Sequence, residues 1–207
     1  MAQFFVIHPD NPQPRLLNQA AAILRRGGLI ALPTESGYVL AAHLDDKIAV
    51  ERIRRLRGID DKHYLTLLCR DLSELSTFAK VDNQQFRLLK TATPGPFVLI
   101  LKATSEVPKR LFHPTRKTIG LRISAHTICQ ILLAVLGQPL LTSTLQLANM
   151  DTALNDAEEI RTYLEHDVDL VIDGGHCPCW PTTVIDLSGE FSEVLRLGQG
   201  DPARLGL

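Results

Sequence analysis

Aromatic residues make up only 5% of this 207-residue chain, with a single tryptophan. Neither sign of charge is in excess: 22 Lys and Arg face 23 Asp and Glu, a formal net charge of −1. That balance excludes a surface that is basic all over, so any anion site must be a local concentration of cations. Four cysteines are too few for a disulfide framework at this length. The longest apolar runs, Phe97–Leu101 and Ile131–Leu136, fall far short of the ~20 residues that cross a bilayer. The segment Met1–Arg15 lacks the basic start, apolar core and small-residue cleavage site of a secretory signal. These absences lead to the expectation of a cytoplasmic protein without membrane partners, with Cys69 and Cys129 as reduced core residues. What is present is a composition 45% hydrophobic, enough apolar surface to offset the entropy of ordering the chain.

Periodicity and turn signals interleave strands and helices from end to end. Strands are expected at Gln3–His8, Gly28–Pro33, Tyr38–Leu44, Tyr64–Cys69 and Phe97–Lys102. Five more follow at Thr118–Ile123, Pro139–Leu145, Asp169–Ile172, Thr182–Leu187 and Glu193–Leu197. Helices are expected at Arg15–Arg26, Lys47–Arg57 and Leu72–Ala79, and after the N-cap Asp82. Ser124 is expected to cap a helix running to Gly137, and Asn155 with Glu158 has capping-box spacing before another. With no repeat or low-complexity linker, the pattern predicts one α/β (α+β) domain over 1–207. Strand-rich stretches near Leu101–Ile123 and Asp169–Leu197 point to a mixed sheet.

Several constellations could carry chemistry. Pro33-Thr34-Glu35-Ser36-Gly37-Tyr38 is a polar turn between two apolar strands, suited to a small polar ligand or merely to satisfying its own backbone. Lys47, Arg52, Arg54, Arg55, Arg57, Lys62 and His63 concentrate positive charge. The run reads either as a phosphate-facing surface or as a solvated helix face balanced by neighbouring acids. Leu141-Thr142-Ser143-Thr144-Leu145-Gln146 ends a strand in hydroxyls and an amide, groups that orient ligands in nucleotide pockets or satisfy a sheet. Arg122 and Arg196 each stand in an apolar strand, so each must be paired, for instance with Glu35 or Asp186, or face a cleft. His176-Cys177-Pro178-Cys179 invites a metal, but no second Cys/His pair accompanies it, and a loop with incidental thiols is favoured.

Taken in order, these pieces resemble the YrdC/YciO family, which includes the threonylcarbamoyl-AMP synthases of tRNA modification, and lie nearest its YciO branch. Pro33–Tyr38 resembles the family's P-T-E-T-x-Y-G-L, with Val39 where that pattern has glycine, and Pro94–Leu99 resembles P-G-P-x-T. Gly120–Ile123 resembles G-x-R-x-P, with Ser124 replacing the proline; Pro181–Asp186 resembles P-S-T-V-x-D; Val194–Gly198 resembles I-x-R-x-G. The resemblance implies a YrdC-like fold: a twisted open sheet with helices and a large concave, positively lined cavity. It implies threonine, bicarbonate and ATP with Mg²⁺ as substrates and no prosthetic group or resident metal. It places Thr34 and Arg122 at the threonine end, and Arg57, Ser143, Thr144, Gln146, Thr183 and Arg196 along the nucleotide. It assigns no catalytic residue. The synthases' K-x-R and S-x-N become Arg57-Gly58-Ile59 and Thr144-Leu145-Gln146, which implies weak or altered activity unless Lys62 or His63 restores the charge missing at Ile59. The alternative is a non-catalytic module for double-stranded RNA or tRNA, read through shape and phosphate. A third reading, a small thiol-metal protein centred on Cys177 and Cys179, is disfavoured.

Overall fold

The computed structural model describes residues 1–60, 63, 65–111, 113 and 115–207. Ten strands form one mixed sheet: β1 (Gln3–Val6), β2 (Ile30–Thr34), β3 (Gly37–His43), β4 (Thr66–Leu68), β5 (Phe97–Lys102), β6 (Thr118–Arg122), β7 (Leu140–Thr144), β8 (Leu170–Asp173), β9 (Thr183–Asp186) and β10 (Glu193–Arg196). Their order across the sheet is β1-β8-β2-β3-β7-β4-β6-β5-β9-β10. The β1–β8, β2–β8, β4–β6 and β5–β9 pairs are parallel and the rest antiparallel. Among the described residues six α-helices join them: α1 (Pro14–Arg25), α2 (Lys47–Arg57), α3 (Leu72–Phe78), α4 (Asn83–Ala92), α5 (Thr127–Leu136) and α6 (Ala157–Leu164), with a 3₁₀ turn at Pro202–Leu205.

Local chemistry explains the boundaries. Asp46, Asp71 and Asp82 each accept a hydrogen bond from the backbone three residues on, and Gln85 completes a capping box with Asp82. Gly58 ends α2 in the left-handed region at φ +63°, a conformation glycine adopts without penalty. Two expected caps are corrected. The cap of α6 is Asp156, which accepts from Glu159 N, rather than Asn155. The cap position of α5 is His126, without a side-chain cap; the Ser124 hydroxyl, two residues earlier, donates to the Glu35 carboxylate and accepts from His126 N at 3.1 Å.

Period-two alternation along the strands divides the core into two layers. Ile30, Leu32, Val39, Ala41, Leu68, Leu140, Leu170 and Ile172 join a cluster with α1 and α5. Their neighbours Ala31, Leu40, Ala42, Leu67, Leu141 and Val171 join a second cluster with α2, α3, α4 and α6 on the opposite face. Among the described residues, the α1–α5 cluster takes nothing from β5, β6, β9 or β10. That half of the face is left for a cavity. No helix of the described residues is long and apolar enough to cross a membrane.

Candidate functional site

The cavity has a volume of about 310 Å³, within the usual range of small-molecule sites. Strand alternation supplies its floor. Thr66 and Thr142 lie two residues from Leu68 and Leu140 and so share the α1–α5 face; Val98, Ile100 and Val184 flank the oppositely facing Leu99 and Ile185. Gly120 pairs with Thr66 on one side and Ile100 on the other. A Cβ at Gly120 would stand 3.2 Å from Val98 Cγ1 and 3.3 Å from Thr66 Oγ1, so glycine keeps the floor low. The apolar part of the lining comes from Val39, Val98, Ile100, Val184 and Leu195.

Three arginines converge here, from three elements: Arg57 at the end of α2, Arg122 at the end of β6 and Arg196 at the end of β10. The Arg57 guanidinium donates from Nε to Ser143 Oγ at 3.1 Å and from NH1 to the Gln146 carbonyl at 2.8 Å. Arg196 donates from Nε and NH2 to the Thr182 carbonyl at 3.1 and 2.9 Å, and from NH2 to Thr182 Oγ1 at 3.0 Å. Among the described residues, neither bonds a carboxylate and no acidic residue lines the cavity. Burial, and then the Arg196 charge, hold the Arg57 guanidinium below its ordinary value, and burial does the same for Arg196. Arginine keeps its proton regardless. The cavity is therefore cationic, with two like charges facing each other.

Arg122 is different. Its NH2 lies 3.0 Å from Glu35 Oε1, with both side chains largely buried, and donates to Ser36 Oγ at 3.0 Å and Thr34 Oγ1 at 3.3 Å. It is both an ion pair and a cavity wall, so the two readings of an arginine in an apolar strand hold together. Its Nε is buried without a protein partner. Among the described residues, Arg196 shows only the cleft-facing reading, while Asp186 faces Arg116 at 3.7 Å.

Among the residues named from the family motifs, the structure brings Arg57, Arg122, Ser143, Thr144 and Arg196 to the cavity. It does not bring Thr34, Gln146 or Thr183. The Thr34 hydroxyl is buried and donates to the Gly37 carbonyl at 2.6 Å, holding the polar turn closed. The Gln146 amide donates to the Met150 and Asp151 carbonyls at 3.0 and 3.1 Å. Thr183 is fully buried; its hydroxyl donates to the Gly200 carbonyl and accepts from Gly198 N at 2.9 Å. Its neighbour Thr182 is the one at the wall. Thr66 and Thr182 go unassigned in the sequence; Thr142 belongs to the strand-end constellation but not to the residues placed along the nucleotide, although two-residue spacing from Thr144 points to it.

The basic run of α2 is dispersed. Arg52 binds Asp169 at 2.9 Å, Arg55 lies 3.5 Å from Asp167, and Arg54 donates to the Arg110 carbonyl at 3.2 Å, leaving Arg57 as the cavity contact. Ile59 packs against the core instead of carrying charge. Lys62 lies outside the described residues, whereas His63 lines the cavity. Its backbone N–H reaches the Asp60 carbonyl at 3.4 Å and carboxylate at 3.2 Å. Burial, then the Arg57 charge, hold its imidazole below the ordinary value, with Asp60 opposing and Arg196 adding. In the His176–Cys179 loop, Cys177 is buried, its thiol pushed up to about 11 by burial, and Cys179 is exposed. Among the described residues, no group of three or more His, Cys, Asp or Glu is placed to hold a metal.

Fold and site together define the class: an α/β protein with an arginine-lined pocket on the open half of a mixed sheet. The Sua5/YciO/YrdC family model, described as telomere recombination, matches residues 22–198, and the chain belongs to that family. It is 53% identical over 201 residues to the uncharacterized protein YciO of Escherichia coli, covering 97% of this chain and 98% of that one. The crystal structure of E. coli YciO superposes with a TM-score of 0.96 at 52% identity, over 99% of this chain and 100% of that one. Human threonylcarbamoyl-AMP synthase is 31% identical over 191 residues, 88% of this chain and 67% of the synthase. The crystal structure of P. abyssi Sua5 complexed with L-threonine superposes with a TM-score of 0.86 at 26% identity, over 94% of this chain and 57% of Sua5. The family resemblance and the mixed-sheet fold expected from the motifs are thereby established.

Proposed function

We propose that the cavity binds ATP with an amino acid and bicarbonate, and that it forms threonylcarbamoyl-AMP or a closely related carbamoyl-adenylate more slowly than the synthases do. The observation that carries this reading is the pair Arg57 and Arg196, two cations on one cavity whose described lining has no carboxylate. An anion relieves their repulsion, and phosphate oxygens match the guanidinium fork. The relationship to a threonylcarbamoyl-AMP synthase and to a threonine-bound Sua5 supplies the substrate class.

The reaction balances as follows. The threonine amine condenses with bicarbonate, losing water, to give an N-carboxylate. A carboxylate oxygen attacks the α-phosphorus of ATP, and pyrophosphate leaves. The work left to the protein is positioning and charge neutralisation. Arg57 and Arg196 would neutralise phosphate charge, while Ser143, Thr144 and Thr182 would orient the nucleotide. Arg122, held by Glu35 and Ser36, would face the amino-acid carboxylate. Mg²⁺ enters as part of the MgATP substrate.

The slow rate follows from Ile59 and Gln146. One removes a cation, and the other spends its amide on its own loop. The alternative of an RNA-binding module drew on the basic run, and the pairing of Arg52 and Arg55 with acids weakens it. RNA binding that falls with salt and ignores ATP would favour that alternative.

Pyrophosphate release, measured with each substrate omitted in turn, tests the proposal. Release should require threonine and bicarbonate and be lost in Arg122→Ala. Release that is absent, or unaffected by omitting threonine, overturns it. The combined variant Arg57→Lys, Ile59→Arg, Thr144→Ser and Gln146→Asn should raise the rate at some cost in stability, since Ile59 packs on the core and Gln146 ties a loop.

A further inference from the structure

One group in the cavity, the His63 imidazole, can gain a charge when its surroundings change. His63 lies on the wall with Arg57 and Arg196 and is anchored through its backbone N–H to Asp60. We propose that His63 is a third phosphate contact that becomes cationic only as the nucleotide binds, so that ATP binding takes up a proton. This inference rests on the nucleotide reading above and adds to it a specific residue and a pH dependence.

Burial and local charge balance set the state of the imidazole. Arg57 from α2 and Arg196 from β10 face His63 as cations, and Asp60 faces it from its own turn as an acid. Partial burial, together with two cations against one acid among the described residues, makes a third positive charge unfavourable in the protein alone, and the imidazole stays neutral. A polyphosphate reverses the balance, because it brings several negative charges to the place where the two guanidinium groups point. Protonation is then favoured, and the imidazolium donates to a phosphate oxygen. A permanently charged lysine would add its repulsion to the folded protein at every pH, whereas histidine adds it only with ligand present.

The sign follows. The imidazole lies below its ordinary 6.5 without ligand and is raised by the nucleotide. Between those two values, binding takes up a proton and affinity rises as pH falls. Below the lower value His63 is already charged, and the rise stops.

Calorimetric titration of the full chain with MgATP, at about pH 6 and about pH 8 in buffers of different ionisation enthalpy, tests this. The comparison is wild type against His63→Gln and His63→Lys, in which the protonation of ATP itself is common and cancels. Wild type should take up a larger fraction of a proton than His63→Gln. Its affinity should rise by about three- to tenfold more than the variant's between the two pH values. His63→Lys should bind at the higher pH at least as tightly as wild type, without the extra uptake. Equal proton counts and parallel pH profiles for wild type and His63→Gln overturn the role of His63 while leaving nucleotide binding intact. No ATP binding at either pH overturns the nucleotide reading, and this inference with it.

Discussion

Replacing Glu35 with glutamine removes the carboxylate that neutralises the Arg122 guanidinium while keeping the shape of the side chain. The two groups are 3.0 Å apart, with side-chain exposures of 7% for Arg122 and 18% for Glu35, so water cannot take over. Breaking a buried pair by removing one partner costs about 3–5 kcal/mol, because the remaining charge stays buried. The glutamine carbonyl can still accept from the Ser124 hydroxyl, which puts the expected loss near the lower figure, about 3 kcal/mol. For a domain of this length that is roughly 6–12 °C in melting temperature. Urea unfolding of Glu35→Gln, Arg122→Met and the double variant, without nucleotide, separates the pair from its surroundings. The double variant should lose less than the sum of the singles, with a coupling of about 1–3 kcal/mol. Singles that add to within about 0.5 kcal/mol would refute the reasoning, since carboxylate and guanidinium would then not share their burial cost.

Arg57→Met and Arg196→Met should each weaken ATP binding about tenfold to a hundredfold, since a charge-assisted hydrogen bond is worth about 1.5–3 kcal/mol. Arg57→Met should lower the melting temperature of the nucleotide-free protein little, because relief of repulsion from Arg196 offsets the lost bonds to Ser143 and Gln146; titration and a thermal scan check both. Thr183→Val should cost about 1–3 kcal/mol in urea unfolding by orphaning Gly198 N and the Gly200 carbonyl. The pH dependence of stability carries a sign fixed by His126, whose imidazole is held below 6.5 mainly by burial, with Nδ1 lacking a partner. The unfolded chain therefore binds the proton first. Stability should be full above about pH 6.5 and fall as pH drops toward the folded value, and His126→Gln should flatten that fall in unfolding measurements.

Much of this architecture is legible in the chain because it depends on short-range rules. Helix α2 and strand β5 coincide residue for residue with their expected spans, since Asp46 and Gly58 bracket one and a proline-glycine turn starts the other. The misses have specific causes. Asn155 and Asp156 each stand three residues before a glutamate, so spacing could not choose between them. Ser124 is not the cap because α5 begins further on: its hydroxyl accepts from His126 N and donates to Glu35, far away in sequence, while His126 takes the cap position. Thr182 and Thr183 are chemically alike, and only the placement of β9 beside β10 decides which meets Arg196 and which holds residues 198–200. Arg52 and Arg55 looked free for phosphate because nothing local shows that Asp167 and Asp169 lie across from α2. The 3₁₀ turn at Pro202–Leu205 is too short for any periodicity to reveal.

The order of the strands has a consequence for synthesis. The cavity draws its walls from seven strands, beginning at β3 and ending at β10, and Arg196 follows Arg57 by most of the chain. β5 pairs with β9 and β9 with β10, so that edge stays open until residue 196 is available. A nascent chain emerging from the ribosome can bury α1 against β2 and β3 early, yet it has no opposed arginines and no closed pocket until residue 196 has been made. If nucleotide occupies the cavity as proposed, it can stabilise only a chain that has reached β10, and one truncated before β10 should gain nothing from it.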